Sequence, residues 1–222
     1  MRLRRATVKG LGMDIDLDFR GARGEYQQIT GIIGGNGSGK TSVIEAVGSL
    51  LNRGVHHRKG VESSVEFDIE GEIHTAILKE GCIMQGINKG WFRSGLIQYG
   101  EGKPIREALL VYDSLVRVSH CARNYSTAPM AVGLVAQVLQ DFYKWDIQNS
   151  VVLVDDLEMG LSDSSAREFL QALIRKILEK DNQLIVTTRR EACLSVIPVE
   201  SWRRLGEGTK VVEEALKTMK KS

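Results

Sequence analysis

The sequence predicts an α/β chain with a mostly parallel sheet covered by helices, an antiparallel β subdomain and a small helical arm. Three observations carry this. The apolar run Ile29-Thr30-Gly31-Ile32-Ile33 leads directly into GGNGSGKT at 34–41 and then into a helix-forming pattern. A second run, Val151-Val152-Leu153-Val154, ends at once in Asp155-Asp156. A third, QLIVTT, follows a helical stretch and ends in Thr187-Thr188-Arg189-Arg190. Short, continuously apolar strands separated by helices belong to parallel sheets covered on both faces.

Taken in order, residues 2–19 alternate apolar and polar on either side of a Gly-Leu-Gly turn, with Ile15, Leu17 and Phe19 at period two, which predicts a hairpin. Residues 28–33 form the buried strand. The helix after Lys40 carries Val43, Ile44, Val47, Leu50 and Leu51 on one face and stops before Asn52-Arg53-Gly54. VESSVEFDIEGEIHTAILKE alternates around Glu70-Gly71, a second hairpin. Apolar residues at 105, 108, 109, 112, 115 and 116 predict an amphipathic helix over 105–120, and 130–143 repeats the pattern. After the acidic strand end, Ser165-Ala-Arg-Glu168 reads as a capping box opening a helix with Phe169, Leu170, Leu173, Ile174, Ile177 and Leu178 on its apolar face.

The stretch GGNGSGKT matches G-x-x-x-x-G-K-[ST] at Gly34, Gly39, Lys40 and Thr41, a phosphate-binding P-loop. Glycines let consecutive backbone N–H groups turn inward around a phosphate, and the following helix points its positive dipole end at the same anion. Gly34, Gly35, Asn36, Gly37, Ser38, Gly39, Lys40, Thr41 and Ser42 therefore form the expected nucleotide-binding segment of a P-loop NTPase. Lys40 would reach the β- and γ-phosphates of ATP, and the Thr41 hydroxyl would ligate Mg²⁺. A flexible Gly/Ser turn is the bland alternative, and the strand and helix on either side argue against it. Asp155 closes a buried strand, where ligands bind in open α/β sheets, and is the natural acid on the metal side. Asp156 would polarise the attacking water, with Glu158 next in line.

Composition sets the outer limits. The 222 residues carry a formal net charge of +2, 42% hydrophobic and 26% charged residues, enough for one good core or one core plus an arm. Basic clusters at Arg2/Arg4/Arg5, 53–59, Arg189/Arg190, Arg203/Arg204 and Lys217/Lys220/Lys221 read mostly as solvated faces, so DNA is an open rather than a required partner. Cys82, Cys121 and Cys193 are widely separated and fit a reducing compartment. No apolar run approaches the roughly 20 residues needed to span a bilayer, and the N-terminus lacks a signal peptide's apolar segment. A cytoplasmic location is expected.

The order of parts resembles the ATP-binding cassette superfamily. Within it the chain looks like the SMC/RecF-like branch of repair and chromosome-maintenance ATPases, or the related OLD-type ATPases of antiphage systems. The opening RLRRATVKGLG, NGSGKTSVIEA at 36–46 and VVLVDDLEMGLSDSSAREFLQALI carry the likeness, the last resembling the family's Walker B, D-loop and following helix. It covers 1–52 and 150–200 well and the middle third loosely. The resemblance implies one head-type ATPase domain over 1–222, with a β-hairpin arm at 60–85 and a helical subdomain at 104–145. It also implies a metal-contacting Gln at a strand end after the P-loop helix, matched by Gln85 in CIMQGI, with Gln98 the competitor. Two positions depart from the pattern: Asp156 stands for the usual glutamate, and Arg189 for the switch histidine. Arginine stabilises γ-phosphate charge and cannot shuttle a proton. The signature that clamps the partner subunit's ATP has no clean copy. NYSTAPMAVG, with Ser126, is the positional candidate, against the simpler reading of a loop.

Four functions compete on this evidence. One is a slow ATPase whose ATP is sandwiched between subunits, either two copies or this chain and another protein, acting on a partner protein or DNA. A second is a nucleotide-gated switch with little hydrolysis. A transporter cassette is weakened by the poor signature. A small-molecule kinase lacks an arginine-lined second pocket. No sustained heptads appear in 86–145, so a long coiled coil is not expected.

Overall fold

The computed structural model describes residues 1–10, 12–51, 60–69, 71–79, 82–86, 109–113, 147–157 and 161–206, with 82–86 and 109–113 described at the level of the backbone. Two five-stranded sheets make up the described fold. The first is antiparallel: β1 (Arg2–Gly10), β2 (Met13–Asp18), β4 (Glu62–Ile69), β5 (Glu72–Lys79) and β6 (Cys82–Gly86), in the order β2-β1-β4-β5-β6. The second is parallel: β3 (Ile29–Ile33), β7 (Leu109–Asp113), β8 (Val151–Asp155), β9 (Gln183–Thr188) and β10 (Trp202–Arg204), in the order β10-β3-β9-β8-β7. Helix α1 (Lys40–Leu51) follows the P-loop, and α2 (Asp163–Glu179) follows β8.

Alternation along the central strands divides the interior into two cores. Ile32, Val151, Leu153 and Ile185 face one side, together with Val43, Ile44, Val47 and Leu50 of α1 and the inward residues Leu3, Ala6, Val8, Val65 and Phe67 of the antiparallel sheet. Helix α1 is thus held between the two sheets. The intervening residues Ile33, Val152, Val154, Leu184 and Val186 face the other side and meet Phe169, Leu170, Leu173 and Ile177 of α2. Among the described residues both faces of the parallel sheet are covered, one by a helix backed by a sheet and the other by α2 together with Cys193, Leu194 and Ile197. Cys193 is buried in the second core as a small apolar side chain.

The two hairpins, the three buried strands and both helices lie where the periodicity puts them, with two corrections. The amphipathic helix expected over 105–120 is not formed at 109–113, which is strand β7, paired parallel to β8 from Leu109↔Val151 to Asp113↔Asp155. Leu109-Leu110-Val111-Tyr112 is a four-residue apolar run, and such runs satisfy helix and strand templates alike until a neighbour decides. The open edge of β8 decides here. The rest of 104–145, including the helix expected at 130–143, lies outside the described residues. The second correction is the cap of α2. Ser162, not Ser165, is the N-cap, its side chain accepting from the Ser165 N–H at 3.2 Å. The 60–85 segment supplies β4, β5 and most of β6 to the same sheet as β1 and β2.

Strand β10 was not legible in the sequence. It is three residues long and pairs parallel with β3, with the Trp202 ring packed against Gly31. A Cβ at Gly31 would stand 2.3 Å from the indole ring, so only glycine admits the contact. The indole N–H donates to the carbonyls of Leu194 and Ile197, both at 3.2 Å.

Candidate nucleotide site

The parallel register brings four strand ends to one edge: Ile33 of β3, Thr188 of β9, Asp155 of β8 and Asp113 of β7. The P-loop leaves β3 at this edge. Gly37 and Gly39 have φ of 76° and 93°. At Gly39 a Cβ would also meet the Ile15 side chain at 2.4 Å, so the hairpin presses on the loop where α1 begins. The first helical bond, from Val43 N–H to Gly39 O, is 3.0 Å. Lys40 is buried, and its ammonium donates to the Gly34 and Gly35 carbonyls at 2.7 and 2.9 Å. The ammonium is thereby fixed at the mouth of the loop, where it can meet an anion. Ser42 is buried on the first turn of α1, and Ser38 folds back under the loop beside Gly34.

The Thr41 hydroxyl donates to Asp155 Oδ2 at 2.8 Å. Asp155 is fully buried, and its Oδ1 accepts from the Thr187 hydroxyl at 2.5 Å. That hydroxyl also accepts from the Asp156 N–H at 2.9 Å. Asp156, partly buried, has φ of 47°, in the left-handed region. Arg189 is exposed and reaches back across the P-loop, its Nη1 donating to Asn36 Oδ1 at 3.2 Å. Arg190 donates to Asp163 at 2.5 Å and to the Leu161 carbonyl at 3.4 Å, tying the end of β9 to the start of α2.

Five sequence-derived residues therefore meet at one edge: Lys40, Thr41, Asp155, Asp156 and Arg189. Gln85 does not join them through the parallel sheet. It lies on β6 of the antiparallel sheet, opposite Ala76, while the strand beside β8 is β7, ending at Asp113. Glu158, Gln98 and Ser126 lie outside the described residues. Thr187 was missed as a site residue. Its only sequence signal was a hydroxyl closing an otherwise apolar strand.

A hydroxyl and a carboxylate 2.8 Å apart are hard oxygen donors of the kind Mg²⁺ takes when phosphate oxygens and water complete its shell. Among the described residues there is no cluster of three His, Cys, Asp or Glu suited to an all-protein metal cage. The donor set thus fits Mg²⁺ arriving with a nucleotide better than a resident transition metal.

No protein-family model matches the chain, and no curated protein matches it in sequence. Solved structures do match in fold. The SMC head domain from Thermotoga maritima superposes with a TM-score of 0.53 at 16% identity, over 92% of this chain and 94% of that one. An SMC head crystallised with the C-terminal winged-helix domain of ScpA covers 88% of this chain and 92% of its own, with a TM-score of 0.49 and 13% identity. The chain has the fold of an SMC head domain.

Proposed function

We propose that the chain is a cassette-type ATPase that binds ATP with Mg²⁺ and turns it over slowly. The observation that supports this best is the hydrogen bond joining Thr41 of the P-loop to the buried Asp155 across the parallel-sheet edge, with Lys40 held beside it. In this reading residues 34–42 wrap the phosphates, and Lys40 meets their β- and γ-oxygens. Thr41 and Asp155 would hold Mg²⁺, which neutralises phosphate charge when bound. Asp156 polarises water, and its carboxylate is one methylene shorter than glutamate, which favours slow turnover. Arg189 would trade its bond to Asn36 for the γ-phosphate.

ATP would be shared between two subunits, as a homodimer or with another protein. The effect on a partner protein is favoured over an effect on DNA, because the N-terminal basic cluster is neutralised. Arg2 pairs with Asp181, Arg4 with Glu66 and Arg5 with Asp16. A second reading, a switch that binds ATP and barely hydrolyses it, draws on Asp156 and Arg189 standing where the resemblance implies glutamate and histidine. Among the described residues no helix is long and apolar enough to cross a membrane.

Calorimetry with ATP and Mg²⁺ tests the reading. Lys40→Ala should weaken ATP binding by about a hundredfold, in line with roughly 3 kcal/mol for hydrogen bonds to a charged group. Equal affinity in wild type and variant would remove the P-loop assignment.

A further inference from the structure

The two acids of the site are held by the same residue on the neighbouring strand. The β8–β9 ladder has its last paired residues at Val154↔Val186, one short of Asp155. From there on, Thr187 takes over the contact with three successive residues. Its hydroxyl donates to Asp155 Oδ1 and accepts from the Asp156 N–H, and its backbone carbonyl accepts from the Leu157 N–H at 3.2 Å. A hydroxyl can donate and accept through a single atom, and Thr187 is fully buried, so water does not compete for either bond.

We infer that Thr187 is a positioning residue, which fixes the Asp155 carboxylate toward Thr41 and holds the Asp156 backbone in the left-handed turn that aims its side chain. The inference rests on the ATPase reading above. With Oδ1 engaged by Thr187, Oδ2 is left facing Thr41, and this selects one rotamer for the acid on the metal side. With its N–H engaged by the same oxygen, Asp156 is secured at φ 47°, a conformation uncommon for residues with a Cβ though tolerated better by Asp than by most. One hydroxyl thereby couples the placement of both carboxylates.

The test compares Thr187→Val, which keeps the shape and removes the hydroxyl, with Thr187→Ser, which keeps the hydroxyl. Amide hydrogen exchange on the nucleotide-free protein reads the bond to Asp156 without reference to activity. The Asp156 amide should be protected in the wild type and in Thr187→Ser, and exchange at least tenfold faster in Thr187→Val. The Mg²⁺ concentration that half-saturates ATP binding should rise about tenfold in Thr187→Val, the usual lower effect of losing a group that orients a metal ligand. It should recover in Thr187→Ser, while ATP affinity without Mg²⁺ stays as in the wild type. An Asp156 amide exchanging at unprotected rates in the wild type would overturn the inference, whether or not any variant folds. So would a Thr187→Val protein with wild-type Mg²⁺ dependence. A wild type that binds no ATP at all would instead remove the ATPase reading, a result distinguishable from both.

Discussion

At the scale of single residues, Asp156 shows how backbone and chemistry constrain each other. Its φ of 47° costs most side chains about 1 kcal/mol or more, while Asp and Asn tolerate it because their short polar groups bond locally. The position therefore favours an aspartate where the resemblance implies a glutamate, and the shorter reach follows from the conformation. Asp156→Asn should fold as well as the wild type and bind ATP equally, but lose turnover, since it removes only the group acting on water. Asp156→Glu should lower stability by about 1 kcal/mol through the same backbone preference, whatever it does to rate. Single-turnover hydrolysis alongside thermal unfolding separates the two effects. Unchanged turnover in Asp156→Asn would move the water-polarising role to another acid, Glu158 first.

At the scale of elements, α2 and β9 are stitched together at the edge that carries the site. Ser162 caps α2, and Arg190 from the end of β9 binds Asp163 in its first turn. Ser162→Ala should cost about 1 kcal/mol, a melting shift of roughly 2–4 °C for a chain of this size. Ser165→Ala, at an exposed site whose backbone N–H still reaches the cap and whose hydroxyl only accepts from Ser162 Oγ, should stay within about 0.5 kcal/mol. Equal losses from both, read by thermal unfolding, would mean that the cap is shared. The sequence pattern placed α2 correctly and its cap three residues late, because Ser162, Ser164 and Ser165 all carry a capping hydroxyl and only Ser165 has Glu three residues on. Elements with a long period, such as α1, α2 and the two hairpins, were legible. Strand β7 was not, since its apolar run takes its state from the edge of β8, and β10 depends on one indole fitting over Gly31. Within the candidate site, Lys40 and Thr41 were legible from their spacing in the P-loop pattern, and Asp155 from its place at the end of an apolar strand. Thr187 was not singled out, because its bonds to Asp155 and Asp156 come from a cross-strand neighbour and no motif marks it.

At the scale of the whole molecule, the candidate site lies at an edge of the parallel sheet where the P-loop, Asp155 and Arg189 would contact one side of a nucleotide. In a head of this fold the proposed clamp on the γ-phosphate would come from a second subunit, through a segment whose candidate, NYSTAPMAVG with Ser126, lies outside the described residues. ATP would then form part of the contact surface between subunits, and only its γ-phosphate would reach across. This predicts that ATP with Mg²⁺ shifts the protein toward a dimer and that ADP with Mg²⁺ does not. Asp156→Asn, which should keep ATP intact, should hold the dimer longest. Sedimentation velocity in ATP, in ADP and without nucleotide reads the difference directly. A shift with ATP only when a second protein is added would mean that the clamp is supplied by a heteromeric partner, as the poor match of NYSTAPMAVG to a γ-phosphate clamp allows. Identical monomer profiles in all three conditions, with that partner also present, would rule out the shared site and leave a monomeric nucleotide switch.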